Sequence, residues 1–383
     1  MLIQSLLDTD HYKITMGQVI FNQFPHARAK YRFINRAGTP FPEGFADRLW
    51  PHIQELGLLQ AQEQEIAWLR ATVPYLKPTY LEWFTHYRFN ADEVKIWQTD
   101  GDLEMEVTGP WYRTVYWEVP LLALVSELYF AGRQPDAAWR DRITTKAEKM
   151  AAAGVHWVDF GTRRRFSYQV QDAVNEIMRG YRPFFLGTSN PHFAMKHGLT
   201  PIGTYAHEAP MAMQVLSGVV LADRTWMNAW VSEYQGDLGI ALTDTLTSSY
   251  FFRIFGLKEA KLFDGVRQDS GDPGAIAEMA IAHYRRLRID PRSKQIIFSD
   301  SLTDDKLIAL HRQFSDCIMV TGGIGTFLTN DVGHRPLNMV MKMTAADFGN
   351  GWVPVIKISD DAGKETGDPA RLAAARLELG MSQ

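Results

Sequence analysis

The chain reads as an α/β protein, an N-terminal α+β portion followed by repeated strand–helix units of a parallel sheet, open or closed into a barrel. Three observations predict this. The 383 residues are 46% hydrophobic and 22% charged, the balance of a soluble globular chain with material for a large core. From residue 155 onward, short β-branched or apolar runs alternate with helix-length segments. Each of those apolar runs ends in polar residues.

The elements follow in order. "RAKYRFINR" (28–36) alternates as a half-buried strand does, and "PHIQELGLLQAQEQEIAWLRATV" (51–73) carries helical patterning. "VKIWQTDGDLEMEVTG" (94–109) predicts a hairpin turning on Asp100-Gly101, a favoured turn pair. "EVPLLALVSELYF" (118–130) predicts a buried helix. The later apolar runs are "VHWVDFG", "PIGTYAHE", "IALTDT", "AKLFDGVRQDSGD", "QIIFSDS", "CIMVTGGIGT" and "LNMVMKM". Helices such as "SYQVQDAVNEIMRGY" and "GAIAEMAIAHYRRLRI" lie between them. A last helix, "DPARLAAARLELG", takes Asp368 as its N-cap and Pro369 as its first residue.

Composition excludes several classes of function. A net charge of −4 gives no electrostatic case for nucleic acid, so phosphate binding must be local. The single cysteine, Cys317, allows no intrachain disulfide and no cysteine-based zinc site, which fits a reducing cytoplasm. The N-terminus carries acids where a signal peptide wants a basic and then an apolar run. "VPLLALVSELYFAG" is interrupted by Glu127 and too short to span a bilayer, so no membrane anchor is expected.

The polar strand ends carry the functional signal. They bring Asp159 and Arg163, Thr204 and His207, Thr243 and Asp244, Arg267 and Asp269, Ser299 and Asp300, Thr321 and Gly322. In α/β folds the C-terminal strand ends form the rim where ligands bind. Polar loops and helix caps explain Ser301 or Asp304, but explain Arg163, His207 and Arg267 poorly.

Three stretches carry chemistry. "TGGIGTFLTND" (321–331) is either a backbone cradle for a phosphate or a plain glycine-rich turn, and matches neither a Walker loop nor a dinucleotide fingerprint. "GVRQDSGDP" (265–273) sets Arg267 beside Asp269 and Asp272: arginine meets phosphate oxygens, while aspartate accepts from ribose hydroxyls or holds Mg²⁺. The bland alternative is a capped turn with a surface ion pair. "DFGTRRR" (159–165) offers an aromatic, a glycine and three arginines that cannot all face one pocket. Phe160 can stack on a planar ring whose carboxylate pairs with an arginine. The implied ligand bears several phosphates and a planar anion.

These stretches, with "LLDTDHYKITMGQVIFNQFPHARAKYRFINR", "GTSNPHFA", "GTYAHE" and "PLNMVMK…VPVIKISD", occur in an order and spacing that resembles bacterial nicotinate phosphoribosyltransferases from about residue 6 to about residue 370. The resemblance implies an irregular TIM-like α/β barrel (118–344) and an N-terminal α+β domain (1–117) joined by residues 345–383. It implies formation of nicotinate mononucleotide and pyrophosphate from nicotinate and phosphoribosyl pyrophosphate in NAD salvage. Mg²⁺ and ATP are expected as cofactor and co-substrate, with a phosphohistidine intermediate in a ligase-type, ATP-dependent enzyme. A cytoplasmic homodimer is implied.

Residue by residue, the resemblance makes His207 the phosphoryl acceptor, with the adjacent Glu208 suited to orient it. Tyr12 resembles the aromatic that covers the pyridine ring, from a neighbouring subunit in relatives, and Phe160 stacks on the other face. Arg163 and Arg267 handle the carboxylate and the phosphates, and Asp269 the ribose hydroxyls. Gly322, Gly323 and Gly325 take the 5′-phosphate, with Thr204 and Thr326 in the same substrate site. Mg²⁺ is held through the phosphates, with Asp269 and Asp272 as the candidate side chains. Nicotinamide-using relatives carry an aspartate where this chain has Ser189, so serine favours the carboxylate substrate. The chain departs from the family pattern at Ala209 and Thr321, which removes no charged or nucleophilic group. Competing readings are a nicotinamide- or quinolinate-using relative, and a binding protein that keeps the site without turnover.

Overall fold

The computed structural model describes residues 1–381. They form two compact units. The first comprises Met1–Pro25, Lys30–Gly203 and Ile324–Lys342; the second comprises His26–Ala29, Thr204–Gly323 and the chain from Met343 on. The fold class is the expected one, parallel strand–helix repeats together with an antiparallel α+β part.

In the first unit, strands Val94–Thr99 and Asp102–Pro110 pair antiparallel from Val94↔Val107 to Thr99↔Asp102. The turn falls on Asp100 (φ 48°) and Gly101 (φ 89°), the positive angles that a two-residue hairpin demands. Leu103, Met105 and Val107 are buried on one face of the second strand, the period-2 pattern of a half-covered sheet. Helix Glu118–Phe130 is buried almost throughout. A helix apolar all round belongs in a core. The patterning over 51–73 resolves into two helices, Phe45–Glu55 and Glu63–Thr72, with a 3₁₀ turn at Leu56–Leu58. The second starts afresh because Glu65 Oε2 accepts from the Gln62 N–H at 2.8 Å, half of a capping box. Strands His156–Asp159, Phe185–Thr188 and Thr200–Pro201 run parallel, with Asp159 opposite Thr188 and Thr188 opposite Pro201.

In the second unit, strands Ile240–Leu242, Gly265–Gln268, Gln295–Phe298 and Met319–Ile324 form successive parallel pairs. "QIIF" reads as a continuous apolar run because a parallel strand is covered on both faces. Helices Pro273–Arg286 and Asp304–Phe314 supply the crossovers. Each has a side-chain cap: Asp272 accepts from Ala275 N–H and Thr303 from Lys306 N–H. The cap of the second helix is thus Thr303, not Ser301 or Asp304. The closing helix, Pro369–Glu378, has the expected Asp368 cap and leading proline. Its Leu372 and Ala375 pack with Leu379, Leu246, Ile356 and Ile358, anchoring the segment that carries Lys357.

Two apolar runs behave differently from expectation. "PIGTYAHE" contributes only its first residue to strand Thr200–Pro201, and residues 202–206 have no regular structure before His207 caps the next helix. "LNMVMKM" enters strand Met339–Asp347, which pairs antiparallel with Val353–Pro354 and so lies outside the parallel repeat. A crossover helix is what enforces parallel pairing, and no helix separates those two strands. Among the described residues, no helix is long and apolar enough to cross a membrane.

Candidate active site

The second unit gathers a buried histidine cluster. His207 occupies the N-cap position of helix Glu208–Ser217 and is 6% exposed. Its Nε2 lies 3.2 Å from Asp269 Oδ2, 3.6 Å from Asp244 Oδ1 and 3.1 Å from Lys357 Nζ. Nδ1 lies 3.3 Å from Thr245 Oγ1. Three of these partners stand at the ends of neighbouring parallel strands or just beyond them, where the rim argument looks for them. Lys357 comes from far along the chain and was not singled out in the sequence. A charged residue inside "VPVIKISD" was its only signal.

Electrostatics keep this imidazole neutral. Burial is the largest influence; against it Asp244 and Asp269 favour the cation, Lys357 opposes it, and the net result pushes His207 down to about 4. Its place at a helix N-terminus works in the same direction. Neutral imidazole keeps a lone pair, so His207 is available as a nucleophile near pH 7. Burial would raise Asp269, but the Arg267 guanidinium and His207 hold it well below the usual carboxylate range. Asp244 is lowered the same way, burial being overcome by His207 and Lys357. Asp269 Oδ1 accepts from the Ser299 hydroxyl at 2.8 Å, and Asp244 Oδ2 from the Ser270 hydroxyl at 2.5 Å.

The other second-unit candidates are arranged around this cluster in part. Arg267 Nη1 lies 3.9 Å from Asp269 Oδ1, and its Nη2 donates to the Tyr205 carbonyl at 3.4 Å. Thr204 Oγ1 donates to the Ile240 carbonyl at 3.0 Å. Asp272 spends Oδ1 on its helix cap at 2.7 Å. Thr321 lies within its strand, not at the end, and accepts from Gln295 Nε2 at 2.6 Å. Gly322 and Gly323 are also buried within that strand. A Cβ on Gly322 would overlap Leu307 and press on Leu302, so glycine there lets helix Asp304–Phe314 pack close.

Asp223, in the same unit, is a buried acid with an unpartnered Oδ2. Burial, then the charge of Asp244, raises it to about 7. A carboxyl raised above its unfolded value stabilises fully below the unfolded pKa, and that stability is lost as pH climbs through about 7. Asp223→Asn is therefore expected to match the parent near pH 4 and to gain stability as pH rises. The gain levels above pH 8 at up to about 4 kcal/mol. Thermal melts across that range check it, and a constant offset at every pH would contradict it.

The first unit gathers an aromatic–arginine cluster. Arg163 Nε lies 3.3 Å from Asp10 Oδ2 and its Nη1 3.5 Å from Glu118 Oε1. Its guanidinium sits 5.9 Å from the centroid of the Tyr12 ring. Tyr12 donates its hydroxyl to Glu118 Oε2 at 3.3 Å, and Lys13 Nζ reaches the same oxygen at 2.7 Å. Ser189 donates its hydroxyl to Asp10 Oδ1 at 2.6 Å. Tyr12, Arg163 and Ser189 are thus brought together through Asp10 and Glu118, which sequence reasoning missed because each sits in an ordinary helical or capping context. Burial would raise Glu118, but Lys13 and Arg163 bring it to about 2. Asp10 is raised, because burial outweighs Arg163 and Ser189.

Phe160 is half-buried on the turn after strand His156–Asp159, and its N–H donates to Ile324 O at 2.8 Å. Asp159 sets that turn, accepting from Gly161 N–H at 2.7 Å and from Gln171, Asn175 and Thr188 at 3.0 Å each. Thr329 donates to Gly161 O at 2.9 Å and Asn330 to Arg164 O at 2.7 Å, so the tail of "GIGTFLTND" clamps "DFGTRRR". Gly325 and Thr326, half-buried, lead into the one-turn helix Thr326–Thr329.

Comparison with known proteins bears on both clusters. Residues 155–383 match the Nicotinate phosphoribosyltransferase (NAPRTase) family, and residues 7–126 its N-terminal domain. A nicotinate phosphoribosyltransferase of Chromohalobacter salexigens is 46% identical over 388 residues, covering 100% of both chains. One from Escherichia fergusonii is 41% identical, covering 100% of this chain and 97% of the relative. The crystal structure of nicotinate phosphoribosyltransferase from Porphyromonas gingivalis superposes with a TM-score of 0.96 at 40% identity, over 99% of this chain and 100% of that one. With its clusters carried on matched segments that span the chain, the protein belongs to the nicotinate phosphoribosyltransferase family.

Proposed function

We propose that the chain joins nicotinate to phosphoribosyl pyrophosphate, giving nicotinate mononucleotide and pyrophosphate in NAD salvage, with ATP hydrolysis coupled through a phosphohistidine on His207. The observation that carries the coupling is a neutral, buried imidazole at a helix N-terminus with Asp244, Asp269 and Lys357 at one nitrogen. In the activating step a ring nitrogen attacks the γ-phosphorus of ATP, and the bond to the β-phosphate oxygen breaks with its electron pair leaving on ADP.

In the glycosyl step the pyridine lone pair forms the bond to C1 as pyrophosphate leaves with the C1–O electron pair. No general base is required. The chain's task is positioning and charge stabilisation. Tyr12 and Phe160 cover the two pyridine faces, and Arg163 and Arg267 serve the carboxylate and the phosphates. Asp269 takes the ribose hydroxyls. Gly322, Gly323, Gly325, Thr204 and Thr326 serve the 5′-phosphate and its surroundings.

Asp269 suits Mg²⁺, since its side chain is 30% exposed and its carboxylate is held anionic. Asp272 suits it less, with one oxygen committed to a helix cap. Mg²⁺, held by Asp269 and the substrate phosphates, would supply charge stabilisation of the leaving pyrophosphate.

The test is product formation from nicotinate and phosphoribosyl pyrophosphate with Mg²⁺, with and without ATP, with nicotinamide in a parallel reaction. Product from nicotinate alone, increased by ATP, is expected. No product from folded protein would sink the proposal and leave a binding protein. Ser189→Asp, in the same assay, is expected to lower kcat/KM for nicotinate about 100-fold. A second carboxylate beside Asp10 repels an anionic ring substituent. Unchanged nicotinate kinetics would remove Ser189 from substrate choice.

A further inference from the structure

The donor atoms around His207 are spaced as a metal site is. Nε2 lies 3.2 Å from Asp269 Oδ2 and 3.6 Å from Asp244 Oδ1, and ligand atoms of all three residues lie within 4.8 Å of one another. With metal–ligand bonds of about 2.0–2.1 Å, tetrahedral coordination puts donors roughly 3.3 Å apart. One histidine and two carboxylates are therefore set to close on zinc or cobalt with little movement.

Lys357 stands among them. Its Nζ lies 2.9 Å from Asp244 Oδ2 and 3.1 Å from His207 Nε2, and its side chain is 3% exposed. The backbone holds it there from several sides. Lys357 N–H donates to Thr366 O and the Lys357 carbonyl accepts from Thr366 N–H, both at 2.9 Å, while Ile358 N–H donates to Thr245 O at 3.0 Å. The Gln214 side chain bonds both the N–H and the carbonyl of Ile356, at 3.0 and 2.7 Å. A lysine so anchored is a fixed part of the cluster.

We propose that Lys357 is the resident cation of the His207–Asp244–Asp269 cluster, a positioning residue that balances the two carboxylates and keeps divalent metal ions off the His207 ring. The purpose rests on His207 being the phosphoryl acceptor. A ring nitrogen bound to a metal has no lone pair to offer phosphorus. An ammonium hydrogen-bonds Asp244 and the imidazole, and a hydrogen bond to the ring exchanges far more readily than a metal–nitrogen bond. An enzyme that works with magnesium-bound phosphates needs such protection, because imidazole with carboxylates prefers later first-row ions to magnesium.

The test is a Co²⁺ titration of the full chain, followed by calorimetry and by the visible absorption of coordinated Co²⁺. Lys357→Ala and Lys357→Gln are expected to acquire one Co²⁺ site at least about 100-fold tighter than any in the parent, and to lose it again when His207→Ala is added. Co²⁺ is expected to raise the melting temperature of the Lys357→Ala protein but not of the parent. The Gln variant keeps a donor toward Asp244, so the answer does not depend on the Ala variant folding without metal. Equal Co²⁺ affinity in parent and variants, or a new site that survives His207→Ala, would overturn the proposal. The titration reads the cluster whether or not His207 takes phosphate, so this proposal and the phosphohistidine reading fail separately.

Discussion

A His207→Gln enzyme is expected to lose ATP-stimulated synthesis by about a thousandfold and to form no phosphoenzyme, while the slower ATP-independent reaction persists. Glutamine fills much of the imidazole volume and keeps polar atoms near Asp269 and Lys357, so the cluster stays packed. What it lacks is a nucleophilic nitrogen. The substrate groups assigned to the glycosyl step are other residues, which is why the basal rate should survive. The measurement is initial velocity with and without ATP, beside label transfer from γ-labelled ATP to protein. Acid lability and base stability of the label identify a phosphoramidate. ATP stimulation that survives in the variant would mean that His207 is not the acceptor. Loss of both rates together, in folded protein, would make the histidine part of the glycosyl site.

How much of this was legible in the sequence depends on the distance over which each contact is made. The hairpin at Asp100-Gly101 was readable because two adjacent residues fix the turn angles. Helix Glu118–Phe130 and the Asp368–Pro369 helix start were readable for the same local reason. The strand in "PIGTYAHE" was not, because apolar character signals burial, while only Pro201 of the run finds a ladder partner. The pairing of strand Met339–Asp347 depended on which partner the chain reached next, which periodicity does not encode.

The site shows the same division. His207, Arg163 and Arg267 stood out because a charged or ionisable side chain at a strand end is out of place in a plain loop. Lys357 did not, since its meeting with His207 spans 150 residues. Asp10 and Glu118 look like a helix cap and a helix start, and their approach to Arg163 emerges only when distant segments pack. From the residues alone the three consecutive arginines cannot all face one pocket, and the resemblance named Arg163. Packing separates them: Arg163 stays partly exposed beside Tyr12, while Arg165 is fully buried.

That burial makes Arg165 the position where a single change should cost most in stability. Its Nη1 and Nη2 bind Asp8 Oδ1 and Oδ2 at 2.6 and 2.9 Å, and Nε binds Glu127 Oε1 at 2.7 Å. Nη1 also meets Gln171 Oε1 at 3.3 Å, and the Arg165 carbonyl accepts from the Ser126 hydroxyl at 2.7 Å. One guanidinium thus ties the N-terminal segment to the helices carrying Glu127 and Gln171. Arg165→Met replaces it with a shorter, unbranched apolar chain and leaves the buried carboxylates of Asp8 and Glu127 without their cation. Removing one partner of a buried ion cluster costs about 3–5 kcal/mol, because the remaining charges lose their compensation. In a protein of this size that corresponds to a melting temperature lower by roughly 5 °C. Lysine should not rescue it, having one ammonium where two carboxylates need a planar fork. Adding Asp8→Asn and Glu127→Gln to Arg165→Met removes the stranded charges and is expected to recover much of the loss. Thermal melts of the single and triple variants decide the matter. A single variant melting within a degree or two of the parent would show that packing alone, without the ion cluster, holds this corner of the fold.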